Sequence, residues 1–238
     1  MIADPRWHRF ATPEQLADRF AGDMADFLKI AISQRGQALL AVSGGTTPAA
    51  FFRALSTHDL PWTDVTVVPV DERFVPTTSE RSNEKLIRQN LLVNKAAAAR
   101  FTPLYHDVAD ISDAAKLADR AVTDLPLPFD VVVLGMGGDG HTASFFPDSP
   151  ELTGAIDPAA SHHVLAVTAP SADEPRLTLT LPVLLSAGLI ALHIEGAEKH
   201  SLLETVLAEP HPREKPIGAV LLHAAKPLDI YWAPKKGE

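Results

Sequence analysis

The sequence predicts an α/β fold: a mostly parallel sheet flanked by helices, a Rossmann-like three-layer sandwich. Three observations predict it. Short apolar runs alternate with segments of helical period along the whole chain. Val131-Val132-Val133-Leu134 is continuously apolar, as strands buried on both faces of a parallel sheet are. Glycine-rich turns stand directly behind two of the apolar runs, where open parallel sheets bind ligands.

Each element follows from local chemistry. Thr12-Pro13-Glu14-Gln15 starts a helix: Thr12 can cap, Pro13 suits the first turn, and Gln15 completes a capping box. Leu16, Phe20, Phe27 and Ile30 continue it as its apolar face, and Gly36 ends it. Residues 38–42 and 65–70 read as strands, the second rich in β-branched side chains. Helices are expected over 48–55, 82–92, 112–125 and 196–208. Further strands are expected over 129–134, 164–168, 189–195, 219–222 and 229–233. Residues 148–160 are the weakest stretch for regular structure. The 20 prolines are dispersed and form no linker, so one domain over 1–238 is expected, with a smaller lobe that the sequence does not delimit.

Composition narrows the function. The chain has 21 Lys+Arg against 30 Asp+Glu, a net charge of −9, which disfavours polyanionic nucleic acid and anionic membrane surfaces as partners. A small anionic ligand needs only a local positive pocket. No cysteine is present, so disulfides, thiolate metal sites and cysteine nucleophiles are excluded together. No apolar run approaches the roughly 20 residues of a membrane span, and Asp4 and Arg6 interrupt the start where a signal core would lie. A cytoplasmic protein is expected.

Three strand ends carry candidate chemistry. At the first, Ser43-Gly44-Gly45-Thr46-Thr47 leads straight into a helix at Pro48. Small residues expose backbone N–H groups, and the helix start favours an anion, so the loop is a candidate phosphate cradle. Its glycine spacing and lack of lysine exclude a Walker A loop. The second is Asp71-Glu72-Arg73. The third, Gly135-Met136-Gly137-Gly138-Asp139-Gly140-His141-Thr142, formally contains G-x-G-x-x-G. Pro147 and Pro150 cut short the helix a dinucleotide site needs, and position 160 is Ala. Four glycines in six residues instead indicate a loop conformation that side chains would block. Asp139 and His141 within it can form a general base with its orienting partner. His162-His163 has no partner at metal-ligand spacing, no H-E-x-x-H occurs, and no G-x-S-x-G elbow is present. Arg176 precedes an alternating Leu/Thr run, and Lys199 sits in the first turn of a helix, where a cation is unfavourable unless an anion joins it.

These blocks, with Ser82-Asn83, Ala143-Ser144, Phe146-Pro147 and Gly196-Ala197-Glu198-Lys199, resemble the glucosamine-6-phosphate isomerase/6-phosphogluconolactonase family, in order from about Phe10 to Trp232. Within it they resemble the lactonases. The deaminase loop usually continues Ile-Ala-Phe-Asn-Glu after its histidine, whereas Thr142-Ala143-Ser144-Phe145-Phe146 follows here. The resemblance implies the sugar-phosphate isomerase/deaminase fold. It also implies hydrolysis of 6-phospho-D-glucono-1,5-lactone to 6-phosphogluconate in the oxidative pentose phosphate pathway, without metal or organic cofactor; a monomer is expected. In that reading His141 is the general base, and Asp139 sets its environment or hydrogen-bonds a sugar hydroxyl. Gly137, Gly138 and their neighbours supply oxyanion donors. The phosphate lies on Ser43, Gly44, Gly45 and Thr46, with Arg176 and Lys199 as counter-charges. Asp71 and Arg73 line the sugar side or hold the loops. Two other functions compete: a glucosamine-6-phosphate deaminase-like isomerase, which lacks its loop glutamate here, and a non-catalytic sugar-phosphate sensor, which has no need of Asp139 and His141.

Overall fold

The computed structural model describes residues 3–238. Ten strands and eight α-helices follow in chain order: β1 (Arg6–Arg9), α1 (Pro13–Arg35), β2 (Ala38–Val42), α2 (Ala49–Ser56), β3 (Val65–Pro69), β4 (Asp71–Arg73), α3 (Asn83–Asn90), β5 (Arg100–Phe101), α4 (Ile111–Thr123), β6 (Val131–Leu134), α5 (Leu152–Ala155), β7 (Val164–Val167), β8 (Arg176–Leu179), α6 (Leu181–Leu185), β9 (Leu189–Glu195), α7 (Ala197–Ala208), α8 (Ile217–His223) and β10 (Asp229–Ala233). Seven strands form one parallel sheet in the order β1-β10-β9-β6-β2-β3-β5. The other three form a small antiparallel sheet, β4-β8-β7.

Alternation along the central strands builds two cores. Ala38, Leu40 and Val42 of β2, with Val131 and Val133 of β6, face α1, α2 and α3. Leu39 and Ala41, with Val132 and Leu134, face α4, α7, α8 and the small sheet. Every one of these side chains is buried, which is why the strands carry no polar alternation. Phe20, Phe51 and Phe52 are fully buried on the α1 side, and each such burial is worth about 1.5–3 kcal/mol. Among the described residues no helix is long and apolar enough to cross a membrane.

Most local signals act as read. Thr12 caps α1, its Oγ1 accepting from the Gln15 N–H at 3.2 Å, and Gly36 closes the helix in the left-handed region at φ 72°. Two expectations are corrected. Phe27 and Ile30 do not join the apolar face of α1; they are 41% and 52% exposed, and the buried stripe passes instead through Met24, Ala25, Leu28 and Ala31. At the helical repeat Phe27 falls at the edge of the arc these buried residues share and Ile30 outside it. Residues 219–222 are helical, within α8, rather than a strand. Ala219, Val220 and Leu221 are buried in succession and only Leu222 is exposed, so an apolar run this short has no period to separate the two states. The short strands β1, β4 and β5 went unread because each depends on a partner remote in sequence.

Candidate active site

Strand order places the two glycine-rich loops side by side. From β2 the sheet continues one way to β3 and β5; from the adjacent β6 it continues the other way to β9 and β10. The crevice beyond their carboxyl ends is the switch point where such sheets bind ligands. Ser43 joins the loops, donating from Oγ to the Val133 carbonyl at 3.1 Å and accepting from the Gly135 N–H at 3.0 Å. Among the described residues the N–H groups of Gly44, Gly45, Thr46 and Thr47 donate to no protein group. They lead into α2, whose dipole adds positive potential at the same point. Gly44 is required here by close approach: a Cβ on it would lie 1.8 Å from Oδ1 of the buried Asn83.

The second loop holds His141. Asp139 Oδ1 accepts from the His141 ring Nδ1 at 2.6 Å and from its backbone N–H at 3.1 Å. With Nδ1 carrying the proton, Nε2 has the lone pair and can accept a proton. Gly137 permits this arrangement, since a Cβ there would lie 2.3 Å from the imidazole. The N–H groups of Gly137 and Gly140 close the loop on itself, donating to the carbonyls of His141 and Gly137. They are therefore spent, and Gly138 does not line the cleft. Met136 does line it, and its N–H has no partner among the described residues. Ala143 takes a positive φ of 49° between Thr142, which donates to the Gly135 carbonyl at 2.8 Å, and Ser144.

Burial pushes the Asp139 carboxyl up, but the His141 hydrogen bond and charge outweigh it and bring the carboxyl from 3.8 to about 2. A carboxyl held below its unfolded value stabilises the fold above pH 3.8 and loses that contribution as pH falls toward 2. The gap in denaturation midpoint between wild type and Asp139→Asn is therefore expected to narrow steadily below pH 4, as urea unfolding at several pH values would read. A constant gap would mean that Asp139 acts by shape alone.

The small sheet supplies the third wall. Asp71 Oδ2 accepts from Ser144 Oγ at 2.6 Å, and its carbonyl accepts from Asn83 Nδ2 at 2.8 Å, so it clamps the His141 loop to the start of α3. Arg73 lines the cleft and donates to the Arg81 carbonyl. Glu72 lies underneath, fully buried, accepting from the N–H groups of Arg73, Asn83 and Glu84. Arg176 departs from expectation. It pairs in register with Arg73, yet its guanidinium is buried, donates to the carbonyl and carboxylate of Glu174 at 2.6 and 2.9 Å, and lies 5.8 Å from the Phe146 ring. It does not line the cleft.

Lys199 does line it, from the first turn of α7. Burial and the charge of Lys235 lower its ammonium below the ordinary lysine value, against the pull of Glu195 and Asp139. Among the described residues it makes no ion pair. Two lysines missed in the sequence complete this side. Lys235 packs against Gly196, and Lys215 donates from Nζ to the Asp139 carbonyl at 3.1 Å. His193 of β9, also missed, is buried in the wall. Only its polarity within a strand of otherwise apolar interior residues could have marked it. The cleft encloses about 220 Å³. Among the described residues no group of three or more His, Asp or Glu side chains could hold a metal ion.

A cradle of free N–H groups beside an Asp-held imidazole, at the switch point of a parallel sheet, defines an α/β enzyme for small phosphorylated substrates. The model of the family described as glucosamine-6-phosphate isomerases/6-phosphogluconolactonase matches residues 11–232. The chain belongs to this family. It is 55% identical over 232 residues to a 6-phosphogluconolactonase of Mesorhizobium japonicum, covering 98% of this chain and 97% of that one. It is 46% identical to a 6-phosphogluconolactonase of Pseudomonas aeruginosa, over 90% of this chain and 89% of the relative. A crystal structure of a 6-phosphogluconolactonase from Shewanella baltica superposes with a TM-score of 0.94 at 37% identity, over 98% of this chain and 99% of that one. A monomeric glucosamine-6-phosphate deaminase shares the fold, with a TM-score of 0.74 at 20% identity over 97% of both chains.

Proposed function

We propose that the chain hydrolyses 6-phospho-D-glucono-1,5-lactone to 6-phosphogluconate by general-base activation of water, the second step of the oxidative pentose phosphate pathway. The observation that carries this reading is the Asp139–His141 pair, with Nε2 free, on the loop beside the 43–47 cradle. A lactone is an activated ester, so a positioned water and one base suffice. His141 Nε2 takes a proton as the water oxygen bonds to the lactone carbonyl carbon. The carbonyl becomes an oxyanion, for which the Met136 N–H is a donor without a protein partner. Collapse breaks the bond to the ring oxygen, which takes the proton back from Nε2, and the new carboxylic acid loses its own proton to water.

The phosphate lies on the N–H groups of Gly44, Gly45, Thr46 and Thr47, with Lys199 as its counter-charge. That position removes the objection to a cation at a helix start: the phosphate offsets both the burial of Lys199 and the Lys235 charge. Arg73, rather than Arg176, is the guanidinium available at the cleft. Asp71 holds Ser144 and Asn83 in place. We take the protein to work as a monomer in the cytoplasm, as one domain.

Lys199→Ala is expected to raise KM for the phosphorylated lactone about 10–100-fold, the loss of one charge-assisted contact, and to change kcat/KM for the unphosphorylated lactone far less. Steady-state rates on both lactones read this. Equal losses on the two would remove Lys199 from phosphate recognition. The activity itself is tested by lactone hydrolysis measured against the spontaneous rate, with ammonia release from glucosamine 6-phosphate as the second arm. Ammonia release without acceleration of lactone hydrolysis would overturn the reading.

A further inference from the structure

His193 stands on β9 beneath the phosphate cradle, and the mechanism above does not use it. Its backbone pairs in register with Tyr231 of β10. Its ring meets Phe20 of α1 and Phe51 of α2 edge-on, with centroids 5.4 and 6.2 Å away. Phe51 lies in the first turn of α2, so the imidazole sits under the helix start that follows the 43–47 loop. The residue is 4% exposed and lines the cleft together with Thr46, Thr47 and Lys199. Among the described residues both ring nitrogens are closed to solvent and neither has a hydrogen-bond partner. The Glu195 carboxylate, on the same strand, lies 3.5 Å from Nε2 outside hydrogen-bonding geometry.

This placement has a cost that packing alone does not explain. A phenylalanine or leucine would complete the Phe20–Phe51 cluster without burying two polar nitrogens, and buried polar groups are almost always paired. An imidazole is favoured over a hydrocarbon here when an oxygen accepts from it. Among the described residues no oxygen accepts from it in hydrogen-bonding geometry, and the cleft it lines is the one with four free N–H groups and a lysine that makes no ion pair.

Resting on the phosphate-cradle reading, we propose that His193 is a further specificity-determining residue, whose ring, its nitrogens closed to solvent in this packing, turns to donate an N–H to a phosphate oxygen of the substrate from below the 43–47 loop. His193, Lys199 and the loop N–H groups then approach the phosphate from different sides. The residue acts on recognition of the phosphorylated end and not on the proton transfer at His141.

The test pairs two variants. His193→Phe keeps the aromatic packing and removes the donor; His193→Gln keeps an N–H donor. Binding of 6-phosphogluconate and of inorganic phosphate is read by calorimetry, and rates are read on phosphorylated and unphosphorylated lactone. Phe is expected to weaken phosphate and 6-phosphogluconate binding ~10-fold and to raise KM for the phosphorylated lactone by a similar factor. The loss is expected to exceed that on the unphosphorylated lactone by the same ~10-fold, with Gln recovering most of it. Wild-type affinity in the Phe variant, equal losses on both lactones, absence of rescue by Gln, or no phosphate binding by the wild type would each overturn the proposal. Thermal unfolding without phosphate shows whether each variant is folded. The calorimetric arm does not depend on catalysis. A wild type that binds phosphate through His193 but fails to accelerate lactone hydrolysis would overturn the activity and leave this inference standing.

Discussion

His141→Ala is expected to lower kcat for lactone hydrolysis by ~10²–10⁴, the range for loss of a general base, with KM for the phosphorylated lactone within about 3-fold of wild type, since a group used only in the transition state leaves ground-state binding nearly unchanged. The geometry makes the expectation specific. Asp139 accepts from Nδ1 at 2.6 Å, which leaves Nε2 as the accepting nitrogen. The loop is closed by its own N–H groups and by Ile217, whose N–H donates to the Gly140 carbonyl at 2.9 Å, so removing the imidazole does not remove what holds the loop. The phosphate contacts proposed above lie on a different loop and on Lys199. The measurement is the enzymatic rate above the spontaneous one. An unchanged kcat would take the base role away from His141.

The second large effect is on stability. Glu72 is fully buried beneath the cleft and accepts four hydrogen bonds: from the N–H groups of Arg73 and Asn83 at 2.7 Å, from Glu84 N–H at 2.6 Å, and from Ser82 Oγ at 3.2 Å. Burial pushes its carboxyl up from 4.5, and the three backbone N–H groups pull it back. A protonated carboxyl would still have lone pairs on both oxygens. Glutamine would not: its NH₂ has no lone pair to offer and would face one of the two pairs of donors. Glu72→Gln is therefore expected to cost about 2–4 kcal/mol of folding stability, the penalty for stranding one or two buried N–H groups. Urea denaturation reads this as a lower midpoint at unchanged slope. A loss under about 0.5 kcal/mol, the size of an ordinary surface substitution, would show that the site relaxes around the amide. Activity is expected to fall with it, because Glu72 fixes the start of α3, and Asn83 there meets both Gly44 and Asp71.

Several parts of the molecule were legible because their causes are local. Thr12 and Gly36 bracket α1 through their own capping chemistry. The apolar runs 38–42 and 189–195 are strands to the residue. The loop glycines announced close approaches, and Gly44 and Gly137 are where a Cβ would collide. Asp139 and His141 are two residues apart, so their pairing is a property of one loop. Family resemblance added the substrate class, which no single motif specifies.

What remained hidden is non-local. Arg73 and Arg176 are more than a hundred residues apart and become neighbours only through the antiparallel pairing of β4 and β8. Which guanidinium reaches the cleft depends on Glu174, which holds Arg176 away from it. The period of α1 could not show that Phe27 and Ile30 lie beyond the covered stripe, because that stripe is drawn by the sheet beneath. His193 reads as one polar residue in a strand, and its meaning arises only when β9 carries it under the start of α2. The sequence by itself determined the α/β class, the two loops and the polar groups each carries, because glycine, caps and short-range hydrogen bonds act within a few residues. The tertiary structure alone decided that β2 and β6 lie side by side, which brings the 43–47 loop and His141 into one cleft and selects the cations that face it. Strand order is set by the burial of both sheet faces at once, and no stretch of sequence carries that information alone.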